Sequence, residues 1–296
     1  MTETLLTLLA APAATTRPET AHDIIVSPMI TSLCGIGTWV MLLWLGHGLI
    51  KPDKFKLSNS PGRTNELTPI HVVAVLLGSI LGMSLLVSVL LLIPAIDKVK
   101  LEIIGGLALP TLAAIGGLIV AKYSFANGAV GGMGFTARRW VNDSVRSVIA
   151  LIAILPVCMI LLDITTRLIL RYQPDLIVVH PYLDIVCDAN AAMFWRVLAV
   201  FVAVVAAPIG EELFFRGLMQ SMFRRYLARP WLAVICTSVL FAAVHYGVLQ
   251  SLPALFALAM ALGYSYERTG RLYPPIMIHM LFNAIMITDR LMNPPA

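Results

Sequence analysis

The chain has 296 residues, of which 59% are hydrophobic and 12% charged, and its mean hydropathy is +0.87. A soluble domain carries roughly 25% charged residues, so about half the usual charge is missing and a water-soluble globular fold is excluded. The net charge of +5 does not signal nucleic acid, because no basic patch is interleaved with aromatics and basic residues of membrane chains collect in cytoplasmic loops.

The opening sixteen residues hold a glutamate and no basic residue before a short apolar stretch, unlike a cleaved signal peptide. Apolar runs near twenty residues then recur and predict spanning helices over 24–50, 70–96, 103–121, 146–166, 191–223, 231–249, 252–267 and 273–290. The expected fold is all-α, a polytopic membrane helix bundle of about eight transmembrane helices in the lipid bilayer. Three stretches organise this single integral domain: a short N-terminal segment (1–22), N-terminal helices with basic loops (23–145), and a C-terminal helical core (146–296). The stretch 51–66 reads as a polar loop and 123–134 as a flexible glycine-rich connector. Cys34, Cys158, Cys187 and Cys236 lie far apart without a CxxC and read as packing residues.

Lysine and arginine set the orientation. Lys51, Lys54, Lys56 and Arg63 fall in the first loop, Lys122, Arg138 and Arg139 in the third, Arg224, Arg225 and Arg229 after the fifth helix, and Arg268 and Arg271 after the seventh. The alternate connections offset their basic residues with Asp97, Glu102, Asp175, Asp184 and Asp188. Eight spans with both termini outside put the basic set in the cytoplasm.

The fifth segment carries Glu211, Glu212 and Arg216. An ionised side chain at mid-bilayer costs about 2.5–3.5 kcal/mol on insertion scales, so these groups must be paired, hydrated or used. Glu212 and Arg216 are four apart and can pair in the favoured acid-first order. Glu211, about 100° round the helix, is left as a carboxylate that can take a proton from water. The plain alternative is a structural staple, which is how Asp163 and Arg167, also four apart, are read.

His22, His47, His71 and His180 lie before a span, near helix ends or in an outer loop and carry no chemistry in this reading. His245 closes the sixth segment, and His279 precedes Asn283 by one turn in the eighth. With Glu211 they form an expected inward-facing cluster drawn from three helices. A carboxylate and a histidine can deprotonate a water that attacks a carbonyl, while a second histidine and an amide can donate to the developing oxyanion. Glu211, His245 and His279 could instead hold a divalent metal such as zinc. There is no HExxH helix and no GxSxG elbow.

The segments 211-EELFFR-216, 241-FAAVH-245 and 279-HMLFN-283 resemble the EExxxR, FxxxH and HxxxN motifs of one intramembrane protease family. That family groups type II CAAX prenyl endopeptidases (the Ras-converting enzyme) with bacteriocin-processing and abortive-infection proteins. The stretch 132-GMGFTARR-139 is similar to the family's Gly-aromatic/Leu-Arg segment. The resemblance covers about 190–290 and implies a Glu/His-activated water acting on a membrane-associated substrate of the prenylated CAAX type. By it, Glu211 activates the water, His245 assists, His279 and Asn283 form the oxyanion hole, and Glu212 and Arg216 hold the site in shape. It implies a bacterial cell membrane, or the endoplasmic reticulum in a eukaryote.

Two other classes are weighed against this one. A scaffold or bacteriocin-immunity factor of the same fold is disfavoured because all four candidate positions hold competent residues. A proton-coupled transporter is disfavoured because no internal repeat is visible. The methionines Met260, Met277, Met280, Met286 and Met292 read as packing. One geometric condition follows from spacing: counted from Trp231 and Pro274, His245 and His279 differ in depth by roughly 13 Å. A single site therefore requires the eighth helix to start deeper than the sixth.

Overall fold

The computed structural model describes residues 27–50, 57, 64–93, 96–136, 139–178, 181–187 and 191–293. The segment 1–22 with His22, the loop residues Lys51, Lys54, Lys56 and Arg63, and Arg138, His180 and Asp188 lie outside the described residues. The helices are α1 (Pro28–Ile50), α2 (Pro69–Leu90), α3 (Lys98–Ser124), α4 (Gly128–Met133), α5 (Trp140–Tyr172) and α6 (Pro181–Cys187). They continue with α7 (Met193–Leu227), then α8 (Pro230–Ala243), α9 (Leu252–Thr269) and α10 (Tyr273–Met292).

All eight expected segments are helical, as α1, α2, α3, α5, α7, α8, α9 and α10. Among the described residues, six stretches are long and apolar enough to cross a membrane: Pro28–Gly48, Pro69–Leu90, Val99–Ser124, Trp140–Tyr172, Met193–Leu227 and Tyr246–Thr269. This is an integral multi-pass membrane protein. Its outer surface agrees: Trp39 and Leu43 of α1 are each 71% exposed and Leu81 and Leu85 of α2 each 68%, which suits acyl chains and not water.

Side-chain ties define the two ends of the bundle. At one end Arg225 donates to Leu67 O ahead of α2, Arg271 pairs with Asp143 at the start of α5, and Glu66 N donates to Ser124 O at the end of α3. This is where the basic connections of the sequence converge. At the other end Ser27 donates to Asp289 and Cys187 lies against Arg290 O. There, too, Asp97 caps α3, and the Lys100 backbone N–H on its Oδ1 holds its carboxyl below the usual range.

Three local expectations are corrected. The glycine-rich connector contains a helical turn, α4, and Gly134 O accepts the N–H of Leu272. The sixth helix stops at Ala243 and a tight 3₁₀ stretch, Tyr246–Ser251, leads directly into α9. The Asp163–Arg167 pair forms at 2.9 Å within α5, but with Arg167 69% exposed it faces outward and joins no second helix.

α9 is the central helix, packed on α5, α8 and α10. One apolar cluster joins α2, α3, α7, α8 and α9; a second joins α1, α5, α9 and α10; a third joins α3, α6, α7 and α10. The site lies where the first and third meet.

Candidate active site

α7 is not a uniform helix. It widens to π-helical turns over Val202–Ala206 and Leu213–Gln220, bracketing Pro208, Glu211 and Glu212. Such i→i+5 turns interrupt α-helices mostly at functional sites. α7 also lies unusually close to α3, for a Cβ at Gly210 would sit 2.4 Å from Pro110 O. The two glutamates are thus presented from a backbone pressed against a neighbouring helix.

Glu212 and Arg216 are fully buried and paired, with Arg216 Nη1 2.8 Å from Glu212 Oε1. The same oxygen accepts from His279 Nδ1 at 2.9 Å. Arg216 also donates from Nη2 to Ala259 O at 3.1 Å and stands 4.7 Å from the Phe241 ring centroid. An isolated charge at this depth would be prohibitive; here the two ions offset one another, Glu212 Oε1 taking two donors and Arg216 meeting a carboxylate, a carbonyl and a ring, while Glu212 Oε2 and Arg216 Nε find no partner among the described residues.

Glu211 is different. Its side chain is 24% exposed, its Oε2 has no hydrogen-bond partner, and that oxygen stands 3.9 Å from His279 Nε2. His279 therefore bridges the two glutamates, bonded to one and facing the other. Because a carboxylate only accepts, Nδ1 of His279 carries a proton, and its tautomer follows from that bond.

His245 lies two residues beyond the end of α8. Its backbone N–H donates to Ala242 O, so Phe241 O is left over, and His245 Nδ1 takes it at 2.7 Å. A carbonyl only accepts, so Nδ1 holds the proton and Nε2 keeps a lone pair for a base. The rings of His245 and His279 stand 4.9 Å and 5.7 Å from Phe241. Both histidines thus adjoin the same ring, Phe241, and His279 lies two turns into α10. Leu272 on Gly134 O and the Asp143–Arg271 pair anchor the start of α10, with contacts of 2.6 and 2.7 Å.

Asn283 donates from Nδ2 to Ala203 O at 2.8 Å, which leaves its second N–H. Glu211, Glu212, Arg216, His279 and Phe241 are thereby joined by direct contacts, with His245 tilted against Phe241 and Asn283 one turn along α10. As for a metal, no three His, Cys, Asp or Glu side chains among the described residues are placed to hold one ion. His279 Nδ1 and His245 Nδ1 are engaged by Glu212 Oε1 and Phe241 O, which leaves the Nε2 of each ring.

Several residues escaped the sequence reading. Gln220 donates to Gly263 O and to Glu267 Oε1, and Arg224 Nε lies 3.5 Å from Glu267 Oε2. Residues 212, 216, 220 and 224 of α7 thus form a polar row against 259, 263 and 267 of α9. The fourfold spacing is visible in the sequence; the partner helix is not, since two of its acceptors are backbone carbonyls of Ala259 and Gly263. Asp143, 1% exposed, gave no signal beyond being an acid near a helix start.

The Rce1-like type II CAAX prenyl endopeptidase family matches this chain over residues 193–285. The Rce1-like segment therefore contains every candidate site residue. An uncharacterized 24.3 kDa protein of Escherichia coli is 37% identical over 87 residues, 28% of this chain and 40% of that one. The membrane-embedded CAAX protease MroQ of Staphylococcus aureus is 28% identical over 102 residues, 33% of this chain and 41% of that one. The chain thus aligns with about two fifths of the length of these curated relatives. No solved structure matches. At the level of family, the match supports an intramembrane protease.

Proposed function

We propose that this protein is an intramembrane endopeptidase in which Glu211, assisted by His245, activates a water for attack on a peptide bond of a membrane-associated, CAAX-type substrate. The observation that carries the reading is the asymmetry of the adjacent glutamates: Glu212 is fully buried with two donors on its Oε1, while Glu211 is 24% exposed and accepts no hydrogen bond among the described residues. A site that merely stapled helices would pair both.

In this mechanism Glu211 takes the proton of the attacking water, and the lone pair on His245 Nε2 supports the same transfer. The second N–H of Asn283 and the Nε2 side of His279 serve the oxyanion. Nε2 donates only when the ring carries both protons. Glu212 and Arg216 do not touch the substrate; they hold His279. A bacterial cell membrane is the proposed location, in keeping with the two bacterial relatives.

The test is cleavage of a farnesylated CAAX-type peptide by the purified protein in detergent, beside Glu211→Ala, each with and without a chelator. Turnover by wild type that is lost in Glu211→Ala and survives the chelator supports the reading. Loss with chelator would assign the water's activation to a metal, and an inert wild type would favour a non-catalytic scaffold of this fold.

A further inference from the structure

We infer that Asn283 stands in for the backbone N–H that Pro208 lacks, and that by doing so it positions His279 of α10 against the glutamates of α7. The first wide turn of α7 sets the register. Ala207 N donates to Val202 O, an i→i+5 bond. The next bond in that register would run from residue 208 to Ala203 O. Residue 208 is proline, which has no N–H to give.

The carbonyl of Ala203 is therefore orphaned by the sequence itself. In a bilayer, water does not rescue such a group, and proline in a membrane helix is tolerated where a side chain from a neighbouring helix re-satisfies the freed carbonyl. Asn283 Nδ2 does so at 2.8 Å, across 80 residues of chain. Ile287, one turn further along α10, packs in the same cluster as Val202, Ala203 and Val204, so the bond sits inside a continuous α7–α10 contact.

The placement links this bond to the chemistry. His279 lies one turn before Asn283 on the same face of α10, and Glu211 and Glu212 follow Pro208 by three and four residues on α7. A bond fixed one turn away sets the spacing at which His279 Nδ1 meets Glu212 Oε1 at 2.9 Å and His279 Nε2 faces Glu211 Oε2 at 3.9 Å. Asn283 is in this respect a positioning residue. The role uses one amide hydrogen and leaves the other for the oxyanion.

Pro208→Ala returns an N–H to α7, so the two positions must be coupled. The experiment takes the full chain in detergent as wild type, Asn283→Leu, Pro208→Ala and the double variant, and measures thermal unfolding together with cleavage of the farnesylated peptide. Asn283→Leu is expected to lower the unfolding midpoint clearly in the wild-type background and by less than half as much beside Pro208→Ala. In the activity arm, which rests on the proposed function, Asn283→Leu should lower kcat at least tenfold with KM little changed, and Pro208→Ala should recover at least threefold of that loss. If Asn283→Leu does not accumulate, recovery of yield in the double variant is the supporting result. Equal effects of Asn283→Leu in both backgrounds, on midpoint or on yield, would overturn the inference. If wild type proves inert on the peptide, the proposed function fails alone and the thermal arm still decides this one.

Discussion

Gly210 offers the sharpest perturbation, because the site is positioned by how closely α7 approaches α3. A methyl at residue 210 would lie 2.4 Å from Pro110 O, 2.6 Å from Pro110 Cβ and 2.7 Å from Pro110 C, where ordinary contact begins at 3.4 Å. Two of these three atoms are backbone and the third is locked in a proline ring, so α7 itself must move by about 1 Å to clear the clash, the scale of misplacement that costs about 10²-fold in rate. Overpacking costs about 1–3 kcal/mol, offset in part by the roughly 0.5–1 kcal/mol that alanine gains over glycine in a helix. The control is Gly105→Ala in α3, where nothing lies within 4 Å of the added methyl and only the helix gain of about 0.5–1 kcal/mol should appear. Kinetics on the farnesylated peptide and thermal unfolding, run on both variants, separate the effects. We expect Gly210→Ala to lose about two orders of magnitude in turnover and to melt below Gly105→Ala. Turnover within threefold of wild type and a midpoint equal to the control's would refute the reasoning.

Other consequences can be checked on the same preparations. Glu211→Gln should lower turnover by about 10²–10⁴-fold yet leave the unfolding midpoint unchanged, since the carboxylate is 24% exposed and its Oε2 has no hydrogen-bond partner; a matching loss of stability would return Glu211 to a structural role. Arg216→Met should cost about 3–5 kcal/mol by leaving Glu212 buried without its cation, and Arg216→Met with Glu212→Leu should recover much of it in chemical denaturation. Asp143→Ala and Arg271→Met should each cost about 1.5–3 kcal/mol, with the double variant no worse than either single one; additive losses would mean that the pair does not anchor α10.

How much of this was legible beforehand can be judged residue by residue. The Glu212–Arg216 pair followed from spacing alone, because four residues on one helix fix a side-chain neighbour whatever the helix packs against. The spare carboxylate of Glu211 followed by subtraction. The end of α8 at Ala243 did not, since the apolar run continues through Val244, Val248 and Leu249, and apolarity does not mark where hydrogen bonding changes register. The same holds for the wide turns of α7, which only the bond from Ala207 to Val202 O makes visible.

The sequence by itself determined an all-α membrane bundle and the Glu212–Arg216 pair, and it pointed to Glu211, His245, His279 and Asn283 as candidate site residues. These rest on composition and on contacts within a few residues, both local properties of the chain. Tertiary structure alone decided that His279 bridges both glutamates, that the two histidines adjoin one ring, Phe241, that Asn283 answers the carbonyl orphaned by Pro208, and that Gln220 and Arg224 prolong the polar row on α9. Each of those depends on which helix lies opposite and at what depth, and much of the recognition falls on backbone carbonyls that every residue carries. A carbonyl has no letter in the sequence, so its partner is found only once the helices are packed.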